Sequence, residues 1–522
     1  MRVPFVLVPF ELVLLLVLAA ASARAETARG VVFEDLNRNG RHDAGEPGLR
    51  GVRVSNQREI VLTDREGRWA LPASDDTVFF VIKPRGFMPP VNADRLPQFY
   101  HVHRPAGSPP GLKFPGVAPT GPLPASIDFP LHRSPEPREF KAVFMGDTQP
   151  RDVREVGYFR DAVVPELVGT DAAFGVTLGD VVFDDLSVFG PHNQAVALIG
   201  IPWWNVLGNH DINFDSPDDA GSAETWKRAF GPNYYSFDHG PVHFIALDDV
   251  DWGGAEPAGT GKYTAGLDAR QLEFVKNDLA LVPDRQLVVL MMHIPLTDVG
   301  NRGELYRLIE KRRYALSISG HTHWQEHKFI TAADGWQGRE PHHHIVTVTA
   351  CGSWWTGAPG PDGIPHATMR DGAPHGYAIL TFDGTRVTMD FKAARRPAAE
   401  QMNVMLPATV AAADLPTRAL YVNVFNGSER STVEYRVNGR GRWTKLEQVK
   451  EHDPSYVARQ SAELANPPAI PPFRKMGDPI LSPHLWKAPL PSLPPGEHRL
   501  EVRTKDLYGR VFRSERTTQV TP

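Results

Sequence analysis

Residues 140–149 read FKAVFMGDTQ, a short apolar run followed directly by a polar turn. The length of the run and its aromatic and β-branched residues predict a buried strand that ends near residue 145. The Gly-Asp-Thr-Gln turn at 146–149 begins where this strand stops. Because ligands bind outside the carboxyl ends of the strands in open α/β sheets, the stretch predicts an α/β fold with a polar site at Asp147.

The same arrangement recurs four times further along the chain. The other apolar runs and the motifs that follow them are Ala172–Leu178 before Gly179-Asp180, Trp203–Leu207 before Gly208-Asn209-His210-Asp211, Leu287–Met292 before His293, and Ala315–Ser319 before Gly320-His321-Thr322-His323. Most of the gaps suit one strand–helix–strand unit. The longest gap has room for a strand at His243–Leu247 and a helix from about Asp268 to Leu281. We therefore expect parallel strands that bring all five motifs to one sheet edge.

The side chains in these motifs indicate a metal site. Carboxylate, imidazole and amide oxygen suit Mn, Fe or Zn. Cys351 is the only cysteine, so a set of soft thiolate ligands is excluded. A carboxylate can bridge two cations, and such a pair would polarise a phosphoryl oxygen and lower the pKa of a bridging water towards neutrality. The pattern thus favours two divalent or trivalent ions, and the hydroxide that they form could then attack phosphorus in line with the leaving oxygen.

Taken together, the five motifs resemble those of the calcineurin-like metallophosphoesterases over roughly residues 138–395. The resemblance implies an α/β fold of the metallophosphoesterase type, a β-sandwich flanked by helices. It also implies the metal ligands, which are Asp147 and His323 for the first metal, Asp180 as the bridging carboxylate, and Asn209, His293 and His321 for the second metal.

The same resemblance implies a catalytic pair. His210 corresponds to the family's histidine that contacts the substrate phosphate and helps to protonate the leaving group. Asp184 looks like the carboxylate that orients this histidine, and its spacing from Asp180 leaves Asp185 as an alternative. One position departs from the family pattern, because Gln149 replaces the usual histidine of the first motif. An amide oxygen is a weaker ligand than imidazole, so Gln149 predicts a looser or less selective first metal site.

The main functional hypothesis is an enzyme that hydrolyses small phosphate esters, either monoesters or diester and pyrophosphate links. The alternative is a cell-surface or periplasmic binding protein whose phosphoesterase-like domain is inactive. A net charge of −5 and the lack of a basic stripe argue against nucleic-acid polymers as partners. The motifs do not identify substrate-binding residues or an oligomeric state. Trp354 and Trp355 could stack on a substrate ring or pack in the core.

The remaining chain predicts export and two flanking β domains. Residues 1–25 contain an apolar stretch and end in Ala23-Arg24-Ala25, the pattern of a cleaved secretory signal peptide. We therefore expect a periplasmic or extracellular bacterial protein with no stable membrane anchor. Small β-sandwich domains are predicted at residues 28–133 and 400–522, on either side of a catalytic domain at 138–395. The second of these resembles an immunoglobulin-like sandwich.

Residues 35–46 of the first flanking domain have the oxygen-donor spacing of a calcium loop. The predicted ligands, for a structural calcium ion, are Asp35, Asn37, Asn39, Asp43 and Glu46. A strand rather than a helix precedes the loop, which resembles the calcium-binding turns of bacterial surface repeats. The alternative is a polar hairpin that Asx turns stabilise without a metal.

Two further segments carry structural predictions. The proline-rich stretch Pro467–Pro495 is expected to cross a domain face as an irregular loop. The histidine run at 342–344 precedes a strand predicted at Ile345–Thr349, and we expect it to lie solvated at a sheet edge. Tyr377–Phe382 and Arg386–Phe391 flank Asp383-Gly384 and predict a hairpin.

Overall fold

The computed structural model describes residues 26–257, 259–469 and 473–522. The predicted signal peptide lies outside these residues. The first region contains β1 (Glu26–Glu34), β2 (Arg53–Ser55), β3 (Ile60–Leu62), β4 (Arg68–Ala73), β5 (Thr77–Ile82), β6 (Phe87–Met88), β7 (Tyr100–His103) and β8 (Phe129–Arg133). They form two four-stranded sheets, ordered β4-β1-β8-β6 and β3-β2-β5-β7.

The central region alternates strands with helices. Its elements are β9 (Glu139–Met145), α1 (Val153–Ala162), β10 (Phe174–Leu178), α2 (Phe189–Ala197), β11 (Trp203–Val206), α3 (Glu224–Phe230), β12 (Tyr235–His239), β13 (Val242–Ala246), β14 (Val250–Trp252), β15 (Tyr263–Ala265), α4 (Ala269–Leu279), β16 (Leu287–Met291), α5 (Arg302–Ile309), β17 (Ala315–Ser319), β18 (Glu326–Ile330), β19 (His342–Val346), β20 (Gly376–Asp383) and β21 (Arg386–Ala393). The five strands that were predicted to precede the motifs are confirmed, as are the extra strand β13, the helix α4 and the hairpin β20–β21.

The central strands form two large sheets and the small two-stranded sheet β14-β15, rather than one sheet. The five-stranded sheet has the order β11-β10-β9-β20-β21, and the six-stranded sheet has the order β12-β13-β16-β17-β19-β18. The prediction of one sheet edge is therefore corrected, because apolar content identifies a buried strand without indicating which sheet it joins. The β-sandwich fold itself is confirmed.

Alternation along β9 explains the layers of the sandwich. Phe140, Ala142 and Phe144 are buried between the two sheets, while Val143 and Met145 point to the opposite face and pack in the cluster that contains α1 and α2. Successive side chains of a strand point to opposite faces, so a strand covered on both sides becomes a continuous apolar run. The ring of Phe244 on β13 lies 5.4 Å from that of Phe382 on β20, and it joins the two sheets.

The first region is anchored to the central region by buried charges. Lys83 lies 2.5 Å from Glu136 and donates a hydrogen bond to the carbonyl oxygen of Asp238 at 2.6 Å. Arg53 bridges Asp238 and Asp278, at 2.5 Å and 3.0 Å. These contacts fix the first two sheets against β12 and α4.

The last region forms two more sheets. Its elements are β22 (Met402–Met405), β23 (Thr409–Ala411), β24 (Ala419–Val424), β25 (Thr432–Val437), β26 (Arg440–Lys445), β27 (Glu447–Val449), α6 (Pro454–Ala465), β28 (Leu485–Pro489), β29 (Gly496–Lys505) and β30 (Val511–Thr521). The sheet orders are β22-β24-β28-β27 and β23-β30-β29-β25-β26. No helix in the described residues is long and apolar enough to cross a bilayer.

Two predictions about irregular or exposed segments are wrong. The proline-rich stretch contains β28, which lies inside a sheet because Leu485, Trp486 and Ala488 are buried there. The histidine run is part of β19, which lies between β17 and β18 instead of at an edge. His342 and His344 are buried, and each lies within hydrogen-bonding distance of the Ser317 hydroxyl, at 2.8 Å and 2.7 Å. Serine partners on the neighbouring strand satisfy these imidazoles without solvent.

Candidate metal centre

Five loops meet at one end of the central sandwich. Both sheets supply side chains, which are Asp147, Asp180 and Asn209 after β9, β10 and β11, and His293, His321 and His323 after β16 and β17. A parallel bridge between Gly146 and Thr349 joins the two sheets at this end. The site therefore lies where the carboxyl ends of strands from two layers converge.

The predicted ligands of the second metal surround one imidazole nitrogen. His293 Nε2 lies 3.0 Å from Asn209 Oδ1, 3.2 Å from Asp180 Oδ1 and 3.1 Å from His321 Nδ1. Its other nitrogen, Nδ1, donates a hydrogen bond to the carbonyl oxygen of Leu178 at 2.8 Å. This bond leaves Nε2 as the nitrogen that faces the cluster. Ligand atoms of Asp180, His293 and His321 all lie within 4.8 Å of one another, as a metal site requires.

The predicted ligands of the first metal face each other across a similar gap. His323 Nε2 lies 3.2 Å from Asp147 Oδ2, and His323 Nδ1 donates to the carbonyl oxygen of Gly352. Asp147 is fully buried, yet its Oδ2 has no hydrogen-bond partner among the described residues. Buried polar atoms are almost always satisfied. A cation held by Asp147 and His323 would satisfy this oxygen, so the residues fit the metal that the motifs imply.

Gln149 lies between Asp180 and Cys351. Its amide nitrogen, not its oxygen, faces Asp180 Oδ2 at 3.0 Å, and its Oε1 lies 3.7 Å from the Cys351 sulfur. The buried carboxylate requires a donor, and the amide nitrogen provides one. In this arrangement Gln149 supports the carboxylate of Asp180, and its part as a ligand of the first metal stays a prediction.

The protonation of the buried carboxylates and imidazoles is consistent with a site for a cation. Burial raises the pKa of the Asp147 carboxyl to about 7 and lowers the pKa of His321 to about 3. Burial also opposes protonation of His293, but Asp180 and Asp147 outweigh it and raise the pKa of His293 to about 10. A proton on His293 Nε2 occupies the position that a metal would take, so the two compete.

His210 and Asp184 form the predicted pair. His210 Nδ1 lies 2.6 Å from Asp184 Oδ1, so the Nδ1–H bond points at the carboxylate and Nε2 faces outward. The side chain of His210 is 22% exposed, whereas that of His293 is 0% exposed, so substrate can reach His210. Asp185 instead accepts hydrogen bonds from the backbone and side chain of Ser187. The structure thus favours Asp184 over Asp185.

Backbone strain is concentrated at this site. Six of the nine residues predicted as ligands or catalytic groups have positive φ, namely Asp147, Gln149, Asp180, Asp184, His321 and His323. A backbone conformation with positive φ costs a non-glycine residue about 1–3 kcal/mol, and it persists only where surrounding contacts impose it. The fold is therefore built to hold these loops in one conformation.

Three buried carboxylates that we did not predict hold the ligand loops. Asp211 accepts hydrogen bonds from the backbone N–H groups of Val181, Val182 and Gly208, all at 3.0 Å. Asp249 accepts from the N–H of His293 at 3.3 Å, and Asp371 accepts from that of Gln325 at 2.8 Å. Only Asp211 had a signal in the sequence, since it ends the Gly-Asn-His-Asp motif.

The two adjacent tryptophans have different environments. Trp355 is buried and donates from Nε1 to the carbonyl oxygen of Thr148 at 3.0 Å, so it belongs to the core. Trp354 is partly exposed, and its ring lies 4.3 Å from that of His323. Of the two, Trp354 is the one that borders the site.

The predicted calcium ligands lie in the loop after β1, in a separate region. Asp35 accepts hydrogen bonds from the N–H groups of Asn39 and Gly40, and Glu46 accepts from those of Leu36 and Asp43. These are contacts of the metal-free hairpin that the sequence also allows. Calcium binding stays a prediction.

Comparison with known families agrees with this geometry. Residues 140–325 match the family model described as calcineurin-like phosphoesterase, and residues 36–116 and 344–512 match those described as its N-terminal and C-terminal regions. No curated protein matches the chain.

Several solved structures share similarity with the chain. A dimetal phosphatase from Danio rerio is 15% identical, with a TM-score of 0.37, and the match covers 49% of this chain and 96% of that one. A purple acid phosphatase from yellow lupin (Lupinus luteus) seeds is 13% identical, with a TM-score of 0.35 and 66% of each chain covered. The NAD nucleotidase of Haemophilus influenzae is 12% identical, with a TM-score of 0.23, and the match covers 59% of this chain and 54% of that one.

The three family models match parts of both flanking regions as well as the centre, and the central match contains every residue predicted to bind the two metals of the candidate centre. On this evidence the chain belongs to the calcineurin-like phosphoesterase family and is a metal-dependent phosphoester hydrolase.

Proposed function

We propose that this protein hydrolyses small phosphate esters, either monoesters or diester and pyrophosphate links, at a centre of two metal ions. The observation that carries the proposal is the convergence of buried carboxylate, amide and imidazole groups, with Asp147 Oδ2 left unsatisfied among the described residues. Asp147, Asp180 and His323 would hold one metal, and Asp180, Asn209, His293 and His321 the other. When bound, the ions would supply Lewis acidity towards the phosphoryl group and towards water.

The protein's own residues perform the remaining steps. The ring of His210 is partly exposed, and Asp184 engages its Nδ1, so that Nε2 has no hydrogen-bond partner among the described residues. It can therefore contact a phosphoryl oxygen and transfer a proton to the leaving oxygen. Asp184 fixes the tautomer and the orientation of the ring. Asp211 holds together the loops that carry Asp180 and His210.

The test combines metal analysis with hydrolysis assays. The purified protein should contain about two equivalents of metal, and it should hydrolyse chromogenic mono- or diesters with added Mn, Fe or Zn. His210→Asn should retain the metal and lose about 10²–10⁴-fold in kcat. Asn209→Ala should lose metal as well as activity. His452, an exposed residue of the last region, provides the control variant His452→Asn. A metal-loaded wild type that cleaves no ester, or an unimpaired His210→Asn variant, would overturn the proposal.

We also propose that the protein is exported, on the basis of the signal-peptide pattern at residues 1–25. Protein recovered from the periplasm or the medium should begin at Glu26. Recovery of the chain from the cytoplasm with Met1 intact would contradict this.

A further inference from the structure

Two arginines from distant parts of the chain meet beside the candidate metal centre. Arg151 follows the first ligand motif, and Arg474 lies in the segment before β28. Both bind the carboxylate of Glu155, Arg151 at 3.7 Å and Arg474 in a closer contact. Within the described parts of the chain, neither guanidinium has a second carboxylate within salt-bridge distance. Two positive charges thus share one negative charge.

The position of Arg151 is fixed relative to His210. Its guanidinium carbon lies 4.0 Å from the centre of the Phe183 ring, and that ring stacks on the imidazole of His210 at 4.3 Å. Its Nη1 also donates a hydrogen bond to the carbonyl oxygen of Trp354 at 2.9 Å. Arg151 and His210 therefore both pack against the ring of Phe183. Because the proposed function places His210 at the leaving oxygen, the neighbouring Arg151 would lie on the leaving-group side of the site.

Arg474 is held in place from both sides. Its carbonyl oxygen accepts a hydrogen bond from the N–H of Gly357 at 2.8 Å, and the carbonyl oxygen of Gly477 accepts one from the Tyr456 hydroxyl at 2.8 Å. The segment thus bridges the loop after Trp354 and helix α6. The side chains of Arg151 and Arg474 are 25% and 32% exposed, so a ligand can reach both.

We propose that Arg151 and Arg474 form an anion subsite for a second negatively charged group on the leaving-group part of the substrate. A guanidinium fork matches the oxygens of a phosphate or carboxylate, and a ligand anion would balance the charge that Glu155 leaves uncompensated. The preferred substrates are then esters or anhydrides whose leaving group itself carries an oxyanion. This inference rests on the proposed function, because it takes His210 as the group that faces the leaving oxygen.

The test compares inhibitors with one and two anionic groups. Methylenebisphosphonate and methylphosphonate are titrated against the metal-loaded protein by calorimetry and as inhibitors of ester hydrolysis, in the same metal buffer. The measured quantity is the ratio of the two dissociation constants. Chelation of free metal by the inhibitors affects this ratio equally in every variant, so it does not alter the comparison between variants. Hydrogen bonds to charged groups contribute about 1.5–3 kcal/mol, so Arg474→Gln should reduce the preference for the bisphosphonate about tenfold or more.

Controls separate charge from folding. Arg436 lies in the last region and pairs with Glu501, so Arg436→Gln should leave the ratio at its wild-type value. Arg474→Lys keeps the charge and should restore part of the preference. Phosphonoacetate tests whether the subsite prefers a phosphonate or a carboxylate as the second anion. A subsite that accepts a carboxylate would bind phosphonoacetate as tightly as methylenebisphosphonate. An unchanged ratio in Arg474→Gln would overturn the subsite even if hydrolysis proceeds. A wild type without hydrolysis would overturn the proposed function, while calorimetry would still report on the subsite.

Discussion

His484 Nε2 lies 2.8 Å from Asp371 Oδ2, and this same oxygen accepts a hydrogen bond from the N–H of Gln325. His484 belongs to the last region, whereas Gln325 is two residues beyond His323. The three residues are fully buried. The last region thus contacts, through one carboxylate, the loop that carries two predicted metal ligands.

Replacing His484 should therefore weaken metal binding. His484→Phe removes the donor and leaves Asp371 undersatisfied, which should cost about 1–3 kcal/mol in the free energy of unfolding. Metal affinity should fall about tenfold, because loss of a residue that supports a metal ligand by hydrogen bonding weakens binding by about 10–100-fold. Metal titration followed by calorimetry measures this. His498→Gln is the matched control, since His498 is buried in the same region and its hydrogen-bond partners, Asn438 and Pro494, also belong to that region. Equal losses of metal affinity in both variants would contradict the role of His484.

Two adjacent carboxylates should behave differently. Asp184→Asn removes the charge beside His210 and should lower kcat at least tenfold without releasing metal. Asp185→Asn should leave kcat near that of the wild type, because Asp185 caps the short 3₁₀ turn at 186–188 and its side chain bonds to Ser187. Steady-state kinetics on one chromogenic ester compares them. A larger loss of kcat in Asp185→Asn would reverse the assignment.

Gly179 should not accept a side chain. Its φ is +82°, and a Cβ atom there would lie 2.3 Å from His293 Nδ1. Gly179→Ala should therefore displace His293 and lower the metal content of the protein. The rate of hydrolysis should fall with it by about 10²-fold, the usual effect of a small misplacement of groups at an active site. Gly190→Ala is the control, because a Cβ at Gly190 meets no atom within 4 Å. Normal metal content in Gly179→Ala would show that the loop tolerates the shift.

The buried charges between the first two regions predict a pH dependence of stability. His243 lies 2.7 Å from Asp238 and 2.8 Å from Asp278. Burial opposes protonation of His243, but the two carboxylates outweigh it and raise the pKa above the ordinary 6.5. The folded protein then binds this proton more tightly than the unfolded chain does. Its stabilisation is fully present below pH 6.5 and is lost as the pH rises through the folded-state pKa.

His243→Gln tests this dependence. Below pH 6.5 the variant should be less stable by about 3 kcal/mol, the cost of breaking a buried ion pair, and the deficit should shrink at higher pH. Urea unfolding at pH 5, 7 and 9 measures the difference. The exposed His452, replaced by Gln, should show no such trend. A stability deficit that grows with pH would contradict a stabilising role for protonated His243.

The sequence predicts the individual strand ends well because each signal is local. An apolar run that stops at Gly179-Asp180 is enough to place Asp180 at the end of β10. Which sheet a strand joins depends on distant partners, so the division of the ligands between two layers could not be predicted. Asp371 and His484 are separated by 113 positions, and no local pattern relates them.

The sequence also does not predict side-chain orientation, or the structure of segments with a mixed composition. The identity of Gln149 does not indicate whether its oxygen or its nitrogen faces Asp180. The many prolines of residues 467–495 predict an irregular loop, whereas the apolar residues Leu485, Trp486 and Ala488 form the buried strand β28. The serines that accommodate the histidine run lie on β17, more than twenty residues earlier in the chain.

The aromatic layer between the two central sheets also has a consequence for the chemistry. Asp147 and Asp180 extend from one sheet, and His293 and His323 from the other, so the rings of Phe140, Phe244 and Phe382 act as the spacer that sets how far apart the two halves of the centre stand. A change in the thickness of that spacer, far from any ligand, would alter the distance between the ligands that the two sheets supply to each proposed metal site.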